Sequence, residues 1–225
     1  MAEKDAVIKT GFKQLDNLIE LEAGGVALIA GRPKAGKTAM LGNLLNGILD
    51  NGRPVMLFNY EGRPRDVLLR LLIARAGVTL DTLRNFGCVR EFAKIYKGNK
   101  LTDKDYQALA GAINAGGTGD DGQLKVDVKT REDVDCLAEA WHQLQDAFKA
   151  DRLVINCKKP HVEDLCSIAR HQPKDVVILI DYVQLIPPPA SMPRAADNRT
   201  IELQRISNAL KDLCLLYTSP SPRDS

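Results

Sequence analysis

The chain has 225 residues, enough for one α/β domain with a full core or for two small ones. Charged residues make up 27% and apolar residues 44%, the profile of a soluble globular chain, and a net charge of +2 means that any nucleic-acid surface must be local. No apolar run nears the ~20 residues that span a bilayer, Met1–Asp5 lack the apolar centre of a secretory signal, and the five cysteines, without C-x-x-C spacing, suit free thiols in a reducing cytoplasm.

In chain order, Phe12, Leu15, Leu18 and Ile19 form a short helical stripe suited to a sheet edge. Glu22-Ala23-Gly24-Gly25 then turns the chain into Val26-Ala27-Leu28-Ile29-Ala30, which reads as a buried strand. Gly31-Arg32-Pro33-Lys34-Ala35-Gly36-Lys37-Thr38 follows and fits G-x-x-x-x-G-K-[ST] at every fixed position. From Ala39 to Leu49, apolar residues recur at helical spacing (Met40, Leu41, Leu44, Leu45, Ile48, Leu49), and Asn51-Gly52 is a good stop. Strand, glycine loop and helix together form a device for holding a polyphosphate, because backbone N–H groups and the positive helix end point at the anion. Lys37 is placed to neutralise the β- and γ-phosphates, and Thr38 to set its hydroxyl on Mg²⁺. The chain is expected to bind a nucleotide.

Val55–Asn59 reads as the next strand, with Tyr60-Glu61-Gly62 at its carboxyl end, where ligands bind in open α/β sheets. From position alone, Glu61 is either a base that orients a water at the γ-phosphate or a solvated turn carboxylate. A helix should follow, with Val67, Leu68, Leu71 and Leu72 inward and Arg63, Arg65, Arg70 and Arg75 mostly outward. Residues 77–151 carry the weakest pattern. Thr102-Asp103-Lys104-Asp105 looks like a helix start, Gly116–Gly122 like a loop, and Thr130 like the cap of a helix burying Val134, Leu137, Trp141, Leu144 and Phe148. Lys94, Lys97 and Lys100 read as a solvated face.

Arg152–Asn156 and Val176–Asp181 are two further strands, and Val162, Leu165 and Ala169 mark a helix between them. The second strand is apolar until it closes on Asp181, a carboxylate placed to hold Mg²⁺ through its water shell. Strands alternating with helices argue a mostly parallel sheet with helices on both faces and right-handed crossovers. Cys157, His161, Cys166 and His171 have a superficially zinc-like spacing. Cys166 and His171 are too far out of phase on one helix to share a metal, and no zinc site is expected.

These motifs together resemble the RecA-like P-loop ATPase domain of DnaB-type replicative DNA helicases. Thr10-Gly11-Phe12 with Leu15-Asp16 is similar to that family's entry segment, and Ala30–Thr38 to its phosphate loop, including the Arg32-Pro33 pair. Phe58-Asn59-Tyr60-Glu61 resembles the strand that delivers the catalytic glutamate, and Leu101–Tyr106 the helix start that follows. Ile180-Asp181-Tyr182-Val183-Gln184-Leu185 is similar to the metal-binding strand end, which implies that Gln184 couples nucleotide state to DNA. Asp197–Lys211 resembles the next helix, with Leu203, Ile206, Leu210 and Leu213 as its buried stripe, and Pro187–Asp197 lies where the family places its first DNA-facing loop. The resemblance implies ATP and Mg²⁺ as cofactors, single-stranded DNA as partner, a homo-hexamer, contact with a helicase loader or primase, no membrane, and a cytoplasmic setting in a bacterial or phage-infected cell.

The expected reading is a DNA helicase motor that couples ATP hydrolysis to translocation and unwinding in replication. Two rivals stay open: a recombination or clock-type RecA-like ATPase that remodels a partner without unwinding, and a nucleotide-binding module that has lost hydrolysis. Residues 1–213 are expected to be the ATPase domain, incomplete at its C-terminus, with an insertion near 115–132. Cys214–Asp224 resembles a translated library adapter, so residues 214–225 are expected to be a tail without function. The chain alone is then expected to hydrolyse ATP weakly.

Overall fold

The computed structural model describes residues 7–78, 128–187 and 199–218. The chain divides into two compact units, one of Met1–Pro64 with Ala150–Ser225 and one of Arg65–Lys149.

The first unit is built on a three-stranded parallel sheet in which β3 (Val55–Asn59) lies between β4 (Leu153–Asn156) and β5 (Val177–Asp181). β3 is central because it is apolar on both sides: all five of its residues are buried, as a strand covered on both faces requires. Side chains alternate along a strand. Met56 and Phe58 therefore share one face, where they pack with Val162, Leu165, Cys166 and Ala169 of helix α5 (Val162–Arg170) and with Ile206 and Leu213 of helix α6 (Arg199–Thr218). Val55, Leu57 and Asn59 point the other way, toward the face on which helix α2 (Lys37–Asp50) packs against β3 and β5. Leu44, Leu45, Ile48 and Leu49 of α2 are buried, as their spacing predicts.

The connection from α2 to β3 fixes where the glycine loop goes. Asn51–Pro54 is a tight return with Gly52 at φ 85°, so α2 must run antiparallel to β3. Its 14 residues span ~21 Å, against ~17 Å for the five of β3. The start of α2 thus lies at the carboxyl ends of β3 and β5, the end at which Asn59 and Asp181 stand opposite each other.

An entry module precedes α2: β1 (Val7–Ile8) pairs antiparallel with β2 (Leu21–Glu22) around helix α1 (Lys13–Leu18). Asp16 ties it together, accepting from the Thr10 amide at 2.8 Å and the Thr10 hydroxyl at 2.7 Å. Partial burial pushes the Asp16 carboxyl up, but these bonds and nearby Lys9 outweigh it and leave its pKa below the ordinary value.

Two expectations about this unit need correction. Val26–Ala30 is not a buried strand: no strand pairs with it among the described residues, and Leu28 is 81% exposed. An apolar run becomes a strand only when a neighbour takes its backbone hydrogen bonds. The Phe12–Ile19 stripe is also largely solvent-facing, with Phe12, Leu18 and Ile19 exposed and Leu15 half-buried. The last helix runs past Leu213, through Cys214 to Thr218.

The second unit contains α3 (Pro64–Ala76), which crosses its boundary at Pro64, and α4 (Val128–Lys149). In α3, Val67, Leu71 and Leu72 are buried and Arg70 is exposed, as expected. Helix α4 begins before Thr130, which is therefore inside the helix and not its cap. Leu137 and Leu144 are buried, Trp141 is half-buried, and Phe148 is exposed. The lysine cluster, the Thr102 helix start, the Gly116–Gly122 loop and most of the 115–132 segment lie outside the described residues, as does the loop from 188 to 197.

Candidate functional site

The loop Gly31–Gly36 is exposed, while Lys37 and Thr38 at the start of α2 are half-buried. Lys34 (φ 65°) and Gly36 (φ 92°) take left-handed backbone, and the Ala35 amide donates to Arg32 O at 3.1 Å. Glycine accepts this geometry without strain, which is why it stands immediately before the helix. No side chain caps α2, so its first N–H groups remain directed toward the loop mouth. The Lys37 ammonium arches back over the loop and donates to Gly31 O and Arg32 O, each at 3.0 Å. Arg32 and Pro33 are exposed parts of the same loop.

Asp181 closes β5 on the α2 side of the sheet, because it alternates with Ile178 and Ile180, which pack on the opposite face. It is only 6% exposed, yet its carboxylate forms no hydrogen bond or ion pair among the described residues, and neither does the Thr38 hydroxyl. A carboxylate with no protein partner leaves its oxygens available to a cation. A hydroxyl and one carboxylate, with water and phosphate oxygens completing the octahedron, is the donor set that suits Mg²⁺. The pair fits the ion that the sequence implies.

Glu61 follows β3 on a bend and is exposed, with no hydrogen-bond or ion-pair partner among the described residues. Its neighbours are tied down. The Tyr60 amide donates to Asp181 O at 2.7 Å, carrying the β3–β5 ladder one residue past the strands. The buried Tyr60 hydroxyl donates to Pro160 O at 2.9 Å, and burial, with Cys166 adjacent, pushes this phenol well above its ordinary pKa. The Asn59 carboxamide donates to Gly62 O at 2.8 Å. Sequence reasoning passed over Asn59; the available signal was one amide closing an otherwise apolar strand.

Gln184 sits on a 3₁₀ turn (Val183–Leu185) directly after β5, with its side chain exposed. Its carbonyl accepts from the Arg199 guanidinium, which also pairs with Glu202 at the start of α6. The glycine loop, Glu61 and Asp181 are thus gathered at one end of the sheet, with Gln184 on the segment leading away from it. The zinc-like residues are not gathered: His161 stands just before α5 without a side-chain capping bond, Cys166 is buried against Ala209 O, and His171 is exposed with Nδ1 2.7 Å from Ser167 O. No group of three or more metal-ligating side chains occurs among the described residues. No described helix is long and apolar enough to cross a membrane.

The family model of the DnaB-like helicase C-terminal domain matches residues 7–110. The replicative DNA helicase DnaB of Buchnera aphidicola subsp. Schizaphis graminum is 26% identical over 208 residues, which is 92% of this chain and 36% of that protein. Its counterpart in Haemophilus influenzae is 25% identical over 212 residues, with the same two shares. The chain therefore spans about a third of the length of the curated relatives it matches. Among solved structures, an ATPase domain superposes with a TM-score of 0.65 at 21% identity, over 96% of this chain and 62% of that one. A DnaB-like replicative helicase, solved in a study of its interactions with primase, gives a TM-score of 0.62 at 21% identity, over 92% of this chain and 40% of that one. Residues 7–110 are thus similar to the DnaB-like helicase C-terminal domain, and the fold of the chain is similar to that of helicase ATPase domains.

Proposed function

We propose that the chain is the ATP-hydrolysing motor domain of a replicative DNA helicase, working on single-stranded DNA as part of a homo-hexamer. The observation that carries this reading is the unpartnered Asp181 carboxylate, at the sheet end where α2 and the glycine loop begin. The loop amides and the start of α2 bind the phosphates of ATP. Lys37 exchanges Gly31 O and Arg32 O for phosphate oxygens. Thr38 and Asp181 would hold Mg²⁺, which neutralises charge across the β- and γ-phosphates. Glu61 orients the attacking water and takes its proton. Gln184 then passes the state of the site to a DNA-facing loop, and backbone phosphate contacts give salt-sensitive affinity without base reading. Loader or primase contacts and a cytoplasmic setting belong to the same reading, which the free cysteines suit.

The test is ATP hydrolysis by the assembled protein, with and without single-stranded DNA, together with strand displacement on a forked duplex. DNA-stimulated hydrolysis with displacement, both lost in Glu61→Gln, is expected. Stimulated hydrolysis without displacement would replace the helicase with a partner-remodelling ATPase, and hydrolysis unchanged in Glu61→Gln would remove that residue from catalysis.

A further inference from the structure

Glu61 is the one exposed and unpartnered residue in a segment otherwise anchored on both sides. Before it, Tyr60 is fixed through its amide to Asp181 O and through its hydroxyl to Pro160 O. After it, Gly62 is fixed by the side chain of Asn59, whose Nδ2 reaches across Tyr60 and Glu61 to Gly62 O at 2.8 Å. Asn59 is 3% exposed, in a strand whose other members are all apolar. Burying an amide there costs about 1–3 kcal/mol unless it is hydrogen-bonded. The bond it makes is local and closes the turn that carries Glu61. The other polar neighbour of Nδ2 is the Cys157 sulfur at 3.9 Å, too weak an acceptor to account for the amide.

We propose that Asn59 is a positioning residue, whose carboxamide sets the Asn59–Gly62 turn and so aims the Glu61 carboxylate. It touches neither substrate nor metal. It acts by limiting the orientations of a side chain that no hydrogen bond or ion pair restrains among the described residues. A general base must be held within hydrogen-bond reach of its water, and small misplacements are costly in rate. The inference rests on the reading of Glu61 as the group that activates water.

The experiment is single-turnover hydrolysis of radiolabelled ATP by excess protein, with ATP affinity and melting temperature measured in parallel. Wild type, Glu61→Gln, Asn59→Ala and the isosteric Asn59→Asp are compared below their melting transitions. Asn59→Asp preserves shape but replaces the donor with an acceptor, so it serves if Asn59→Ala does not fold. The expected result is a rate about tenfold slower in the Asn59 variants, equivalent to ~1.4 kcal/mol at the transition state, with ATP affinity within about twofold of wild type. Wild-type rates in the Asn59 variants, with Glu61→Gln slow, would overturn the positioning role and leave Glu61 in place. A fall in affinity matching the fall in rate would also overturn it, as the mark of a structural role. Equal rates in Glu61→Gln and wild type would remove the reading of Glu61 itself, and the inference with it.

Discussion

Gly47, in the last turn of α2, meets Thr10 backbone to backbone: a methyl group on Gly47 would lie 1.9 Å from the Thr10 carbonyl oxygen. Gly11 meets the same place from the other side, since its own Cβ would lie 2.8 Å from Gly47 Cα. The entry module is thereby seated on the helix that begins at the glycine loop. No flexible side chain can give way here, because the obstacle is backbone. Gly47→Ala is expected to destabilise the protein by about 1–3 kcal/mol through overpacking, read as a lower midpoint in denaturant. Gly52→Ala has open space around its Cβ and only its φ of 85° to strain, so it should cost about 1–2 kcal/mol.

The Thr10–Asp16 bonds predict an acid-sensitive entry module. Because the folded-state pKa of Asp16 lies below its ordinary 3.8, the stabilisation is complete above pH 3.8 and is lost as pH falls below it. Wild type should therefore lose stability over that acid range more steeply than Asp16→Asn, which has no carboxyl to protonate. Parallel stability–pH curves for the two proteins would contradict the assignment.

Tyr60 predicts a second, pH-independent effect near the site. Tyr60→Phe keeps the ring in the core with Phe58 and Leu165 but leaves Pro160 O without its donor. The expected cost is about 1–2 kcal/mol, and it should not vary between pH 6 and 9, because burial keeps this phenol protonated throughout that range.

The cysteines should separate by reactivity. Cys136 is exposed, whereas Cys166 is buried and burial pushes its thiol pKa up. The thiolate is the reactive form. Peptide-mapped alkylation of native protein is expected to label Cys136 well before Cys166, which should react only on unfolding. Early labelling of Cys166 would mean that the α5–α6 packing opens readily.

The elements that could be read from the chain were those whose residues carry their own explanation. Val55–Asn59 and Val177–Asp181 are apolar up to their last residue and bounded by turns, so their parallel pairing followed; Val55–Asn59 is buried throughout, whereas Val177–Ile180 are half-buried. The α2 stripe was equally plain. Val26–Ala30 has the same apolar character but lacks a pairing neighbour among the described residues, and hydrophobicity cannot report whether a partner exists. The two-residue strands β1 and β2 are too short for any period to appear. Thr130 has the chemistry of a cap, yet α4 starts before it, since capping preference is weaker than a continuing helical backbone. At the site, the roles of Lys37, Thr38 and Asp181 were legible because their motif fixes chemistry and spacing together. The Asn59–Gly62 and Arg199–Gln184 bonds were not, because each joins a side chain to a backbone carbonyl, and any residue supplies that acceptor.

The central claim is that Gly31–Thr38 binds the phosphates of a nucleotide, with Lys37 moving from two loop carbonyls onto them. Calorimetric titration with MgATP, of wild type and of Lys37→Ala, tests it most directly. The account predicts saturable one-site binding by wild type and an affinity at least about tenfold weaker in Lys37→Ala, a loss of ~1.4 kcal/mol or more, with both proteins folded. Equal affinity in the two, or no binding by folded wild type, would contradict it.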